Sequence, residues 1–277
     1  MRRSVWLSFV IDPPDSSEED KNQDVKPGGS RIIGRLLPTA VKLWLRSQVE
    51  QLDQLSIELA GRDRQILSGY LPGVSVAAEA AIYQGIHITQ VQLSAKDIRI
   101  NVGQVIRGKP LRLLKEFPVQ GQALLSADDL NASLASPLLT EGLDSFWQSL
   151  IQRPDVAEAV SAQYGLLPVQ PDVVLSRPQI RLSGGRLGLR FYPATSTETA
   201  ERPVVLGTGL CVVSGHILQL NSARWLNQLD ELDQSDSGVP VAVLDGFQWD
   251  LGQDTELSQL AIENSELLCA GTIAVKP

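Results

Sequence analysis

Apolar residues recur with a helical period only near the start of the chain; over most of the remainder the period is two. From Arg31 to Gln51, at 100° per residue, Ile33, Leu36, Leu37, Ala40, Leu43 and Trp44 fall on one face. Arg31, Arg35, Lys42 and Arg46 gather on the opposite face, which predicts an amphipathic helix with Ser30 as its N-cap. Pro38 either kinks this helix or sits in the first turn of one starting near Leu37. From Leu55 the alternation is that of strands: Ser56 to Leu59, Val74 to Ala77 and Ala81 to Tyr83. Ile86, Ile88, Val91, Leu93, Ile98, Ile100 and Val102 mark two more, broken at Ala95-Lys96, and Phe117 to Leu125 marks another.

Ser126-Ala127-Asp128-Asp129 has the form of a capping box and opens a short helix to about Ala135. A second helix is expected from Glu141, carrying Leu143, Phe146, Trp147, Leu150 and Ile151 and ending before Pro154. Hairpins are expected at Gly184-Gly185 and near Ser214-Gly215, and two last strands, Leu257 to Val275, part at Asn264-Ser265. Asn221 is expected to cap a helix with Trp225, Leu226 and Leu229. Val119-Gln120-Gly121 and Val213-Ser214-Gly215 thus each lead through a strand to a capped helix, a weak internal echo. Short turns and irregular helix placement put the chain in the α+β class with an extensive antiparallel sheet.

The chain has 277 residues, 43% of them hydrophobic and 20% charged, enough apolar material for a real core. No run of 18 apolar residues predicts a transmembrane helix. Two Cys (Cys211 and Cys269) and two His make a zinc site very hard to build, so no metal and no cofactor are expected. The net charge of −8 is uneven: residues 31–120 carry 12 basic and 7 acidic side chains, whereas 121–277 carry 8 and 19. A nucleic-acid binder would be basic throughout its folded part, so none is expected; a basic half on an acidic body instead suits orientation at an anionic surface. Residues 1–30 read as an acidic disordered tail without an export signal, although Trp6, Phe9 and Ile11 are apolar.

No G-x-S-x-G elbow, Walker loop, H-E-x-x-H or C-x-x-C is present, and no enzyme is expected. His87 lies between Ile86 and Ile88 and points to the opposite face of its strand; His216 reads as a turn residue. Asp128-Asp129 and Asp230-Glu231 read as cap and loop residues rather than an acid/base pair. An aliphatic sheet laid against an amphipathic helix admits two outcomes, a filled core or an elongated apolar groove. In such a groove each buried CH2 of an acyl chain contributes about 0.8 kcal/mol.

Three stretches carry a resemblance: IGRLLPTAVKLWLRSQVE, GYLPGVSVAAEAAIYQGIHITQVQLSAKDIRINVGQVIRGKPLRLL and LLSADDLNASLASPLL. Between Ile33 and Leu139 the chain resembles the LmeA-type phospholipid-binding family, with a spelling closest to its cyanobacterial branch; LSGGRLGLRFY and AGTIAVKP match more loosely. The family is similar in architecture to tubular lipid-binding proteins. The resemblance therefore implies one lipid-binding domain over 31–277, its sheet wrapped along a long N-terminal helix; the internal echo marks 31–152 and 172–277 as candidate related halves. It implies a non-enzymatic phospholipid binder or carrier for an anionic phospholipid, docked peripherally at a membrane. Ile33, Leu36, Leu37, Ala40, Leu43 and Trp44 would line the groove. Arg107 and Lys109, or the stripe Arg31, Arg35, Lys42 and Arg46, would meet the headgroup, while Arg99 faces solvent. Actinobacterial members usually carry an export signal; its absence here favours a cytoplasmic or peripheral-membrane location. The alternative is a non-lipid scaffold with a filled core, binding a basic partner through Asp230 to Asp236. A lipid-modifying enzyme with dispersed catalytic residues is a third reading.

Overall fold

The computed structural model describes residues 30–164, 173–194, 202–234, 236–251 and 255–277, with the side chains of 30–36 and 255 left undescribed. The expected acidic tail, Ser30 apart, lies outside the described residues. Helix α1 (Ser30–Gln48) leads into β1 (Gln51–Ala60), the short α2 (Asp63–Leu67) and a long hairpin of β2 (Tyr70–Tyr83) and β3 (Ile86–Arg99). The short α3 (Val102–Val105) and β4 (Phe117–Ser126) follow, then three helices, α4 (Ala127–Ser133), α5 (Pro137–Ile151) and α6 (Pro154–Tyr164). The chain continues through β5 (Val174–Ser183), β6 (Arg186–Ala194), β7 (Val204–Ser214) and β8 (Ile217–Trp225). A 3-10 turn at Leu229–Asp233, β9 (Val239–Pro240) and β10 (Gln248–Asp250) precede the closing hairpin of β11 (Thr255–Glu263) and β12 (Glu266–Val275).

Two antiparallel sheets result. The first has the order β1-β2-β3-β4-β12-β11 and curls into a half-barrel; the closing hairpin returns to pair with β4. The second runs β10-β8-β7-β6-β5, with β9 on β8. The architecture is thus α+β with extensive antiparallel sheets. The expected long helix with a sheet wrapped along it is not what forms. At 1.5 Å per residue α1 measures about 28 Å, whereas the 14 residues of β2 and of β3 extend about 46 Å. The helix therefore covers one end of the sheet, and α4 with the second sheet covers the other.

Several expected boundaries move for physical reasons. The two strands expected on either side of Ala95-Lys96 are one strand, β3, and the pieces around Ala78 join into β2. Asp97 (φ 57°) and Ala80 (φ 49°) take left-handed backbone; each drops out of the β2–β3 pairing, which resumes in the same register beyond it, and β1 shifts register against β2 beside Ala80. A bulge breaks the period of two without ending the strand. Asn221 caps no helix: it lies inside β8, opposite Gly209 of β7. The helical spacing of Trp225, Leu226 and Leu229 arises because Trp225 enters the main core while Leu226 and Leu229 join a small cluster with Val205 and Leu232. The helix expected from Glu141 starts four residues earlier, at Pro137, capped by Ser136; Pro154, read as a stop, instead opens α6. The capping box forms: the Ser126 hydroxyl accepts from the Asp129 N–H, and the Asp129 carboxylate accepts from the Ser126 N–H, each at 3.0 Å. The hairpins at Gly184-Gly185, Ser214-Gly215 and Asn264-Ser265 are present.

Two cores divide the molecule. One joins α4, α5 and α6 to the second sheet around Trp147, Leu150, Val156, Val160, Phe191 and Leu244, all essentially inaccessible. The other lies under α1 and is aliphatic apart from Phe117 and a half-buried Trp44. Asn131 of α4 links the parts by holding the backbone of β5: its amide donates to the Ile180 carbonyl (2.7 Å) and accepts from the Ile180 N–H (2.9 Å). That contact also occupies part of an otherwise open sheet edge.

Candidate functional site

The aliphatic core is incompletely filled. Between α1 and the end of the first sheet lies a cavity of about 150 Å³, partly open to the surface. Val41, Trp44 and Leu45 of α1 form its roof, Val74, Val76, Leu93, Ala95 and Val119 of the sheet form its floor, and Ile100, Leu111 and Leu113 close one end. Ile273, about half exposed, and Val275 stand at the open side. No lining side chain is charged, and Ser94, whose side chain belongs to the other face of the sheet, is the one hydroxyl-bearing residue along it. The alternation of β2, β3 and β4 sends Val and Ala inward there, and these short chains leave the helix and sheet separated by space they do not fill.

The opposite face of the sheet behaves differently. Glu58, Ser75, Ser94, Gln120 and Thr272 stand in register across five strands and border a shallow trough of about 550 Å³. The trough is larger than the cavity under α1, but its polar lining keeps it a hydrated surface unsuited to an acyl chain.

The expected groove residues divide. Trp44 lines the cavity, Leu37 is buried beside it in the same core, and Ala40 packs partly against that core. Leu43 does not line it: its side chain is 71% exposed, whereas Val41, absent from the expected set, is 6% exposed. The buried row Leu37, Val41 and Trp44 is centred near Leu37, and Leu43 lies about 120° from that centre at 100° per residue. The inner face is thus rotated from the one deduced from the full periodic set. Ile33, Leu36, Arg31 and Arg35 have side chains outside the described residues. Lys42 and Arg46 are exposed on α1, and Arg107 and Lys109 are exposed in the segment after α3.

Arg99 faces solvent as expected, stacked 4.6 Å over the Tyr70 ring. The Tyr70 hydroxyl donates to the Asp97 carboxylate, and that hydrogen bond, followed by burial and the negative charge of Asp97, pushes the phenol pKa up. These contacts pin the base of the segment that closes the cavity. Asn101 extends the support: its side chain accepts from the Arg112 N–H (2.7 Å) and donates to the Pro110 carbonyl (3.0 Å).

His87 is half-buried at a separate polar depression beside Gly85 and Ser136, and its backbone N–H donates to the Ser133 hydroxyl (2.7 Å). Its neighbour Asp129 is anchored by Ser126 and by the Thr89 hydroxyl. Burial pushes the Asp129 carboxyl up, but the hydrogen bonds from Thr89 and Ser126 outweigh this and hold it below its ordinary value. This cluster ties α4 to β3. Cys211 and Cys269 are free thiols, and burial pushes Cys269 up to about 11. Among the described residues no group of three His, Cys, Asp or Glu is placed to hold a metal ion, and no helix is long and apolar enough to cross a membrane.

Residues 28–272 match the family described as LmeA-like phospholipid-binding, and the chain belongs to that family. No curated protein and no solved structure matches it.

Proposed function

We propose that this protein binds a phospholipid and carries it at a membrane surface, with acyl chain in the groove beneath α1 and anionic headgroup near Arg107 and Lys109. The observation behind this reading is the uncharged, aliphatic cavity between α1 and the sheet in a member of a phospholipid-binding family. A dry cavity of about 150 Å³ is the size that admits benzene. The groove as it stands therefore takes a segment of one chain, with the remainder lying along the open side past Ile273. Each methylene buried contributes about 0.8 kcal/mol, so a modest length of chain suffices for retention. Arg107 and Lys109 are exposed cations of the segment that also closes the cavity, and in this reading they supply charge-assisted hydrogen bonds to the phosphate.

The scaffold reading is less well served. Asp230 and Asp233, central to the acidic stretch that would bind a basic partner, already pair with Arg181 at 3.1 and 2.7 Å, and Glu231 holds Asn227.

Native mass spectrometry of detergent-free protein tests the proposal, with retained phospholipid as the expected result. Ala95→Leu places three more carbons in the groove; it should weaken phospholipid binding by about 2 kcal/mol, roughly thirtyfold, without loss of cooperative melting. Lipid-free protein that also fails to take up a fluorescent phospholipid would overturn the reading.

A further inference from the structure

The segment 98–115 has two unlike surfaces. Ile98, Ile100, Leu111 and Leu113 face the cavity under α1, and Val102 is buried beneath them. Facing outward are Ile106, 47% exposed, and Leu114, 62% exposed. Leu67 of α2, also exposed, shares a depression with Leu114 and Arg107, so these two apolar side chains lie together beside a cation, and Ile106 directly precedes that cation in the chain. Large apolar residues exposed in a group, unlike scattered single ones, mark a surface that meets something apolar.

Charge identifies the partner. Residues 98–115 hold five basic side chains (Arg99, Arg107, Lys109, Arg112 and Lys115) and no acidic one, in a chain whose net charge is −8. An anionic bilayer offers both complements at once: headgroups for the cations and, just below, an interfacial layer for Ile and Leu. An acidic protein surface would satisfy the cations but leave the exposed apolar side chains without a partner.

We infer that segment 98–115, with Leu67, is the surface by which this protein docks on an anionic bilayer. Ile106 and Leu114 enter the interfacial layer, and Arg107, Lys109, Arg112 and Lys115 ring them at headgroup level. This rests on the phospholipid-binding reading and adds to it. The residues that touch the membrane and those that line the cavity are two faces of one short segment. The exposed cations of α1, Lys42 and Arg46, have no part in it.

The test is sedimentation of the full chain with vesicles of phosphatidylcholine and phosphatidylglycerol (7:3) at low salt. A parallel titration uses dihexanoyl phosphatidylglycerol, kept monomeric so that no membrane is needed. Ile106→Ser with Leu114→Ser should lower vesicle partition about tenfold or more and leave monomer binding unchanged. Arg107→Ala with Lys109→Ala should lower partition about tenfold or more on these vesicles, with little change on pure phosphatidylcholine. Lys42→Ala with Arg46→Ala should change neither measurement. Partition unaffected by both segment variants, or lost instead with the α1 variant, would overturn the inference. Loss of partition in the segment variants when even the native chain fails to bind monomeric lipid would uphold the docking surface while removing the acyl-binding reading.

Discussion

The core around Trp147 and the core beneath α1 are both made of helices laid on an antiparallel sheet, yet one is filled and the other is not. Rings account for much of the difference. In the filled core Trp147 meets Phe191 edge-on with centroids 4.9 Å apart, and Phe146 contacts both Phe247 (6.0 Å) and Trp249 (5.4 Å). Beneath α1 the sheet presents Val74, Val76, Ala95 and Val119, and the only rings in the lining are Phe117 and a half-buried Trp44, which shares the roof with Val41 and Leu45. Short β-branched chains favour the strand but do not span the gap to a helix. Stability and capacity are thereby assigned to different ends of one molecule: rings lock the sandwich, and small aliphatics keep a groove open.

Truncation tests that contrast most severely. Trp147→Ala removes a ring that is 1% exposed and should destabilise the protein by about 3–5 kcal/mol in denaturant unfolding. Leu93→Ala, in the half-buried groove floor, should cost about 1 kcal/mol, because one side of that residue already faces empty space. Equal losses at the two sites would mean that the groove end is as tightly packed as the other.

Enlargement runs the comparison the other way. Ala223, 1% exposed in the filled core, has no room for three more carbons, and Ala223→Leu should destabilise by about 1–3 kcal/mol. The same change at Ala95 points into the cavity and should leave the melting midpoint nearly unmoved. A comparable loss for Ala95→Leu would show that the space under α1 closes in solution.

The tie between the two ends responds to pH. Asp129 joins α4 to β3, and its folded-state pKa lies below the ordinary 3.8. The stability contributed by its ionised form is therefore present above that value and is lost as pH falls through the lower folded one. Asp129→Asn should cost about 1 kcal/mol near neutrality, and it should flatten the steepening of the unfolding free energy below pH 4. A variant whose acid profile superimposes on the native one would place the acid sensitivity elsewhere.

Hairpins and caps were readable because their signals are local. Gly184-Gly185, Asn264-Ser265 and the Ser126 box each lie within a few residues and act through backbone geometry alone. The period of two located the strands but not their ends: the left-handed residues Ala80 and Asp97 interrupt the alternation, and the β2–β3 pairing resumes beyond each in the same register. Asn221 misled for the opposite reason, since pairing with Gly209 across the sheet outweighs a local preference for a cap. Of the cavity lining, the aromatic Trp44 could be named in advance. The floor of the groove could not, because Val and Ala on a strand read alike whether a partner fills the space above them or leaves it empty. Nothing local in the sequence sets Leu114 and Ile106 apart from buried apolar positions; the fold turns both outward.

The finest distinction concerns the two sides of α1. Periodicity alone groups Leu43 with Leu37 and Trp44, whereas the fold exposes Leu43 and buries Val41. Leu43→Ser should therefore change the unfolding free energy by no more than about 0.5 kcal/mol. Val41→Ala, which removes buried methyls and enlarges the groove roof, should cost about 1–2 kcal/mol. Bound lipid discriminates further: Val41 touches the cavity, so its truncation should alter phospholipid binding, while Leu43 does not and should leave it as it is. Should Leu43→Ser instead behave like a core substitution, α1 would be rotated by about a third of a turn from its place here. Its cations Lys42 and Arg46 would turn with it, and the side of the helix that faces the groove would have to be reassigned.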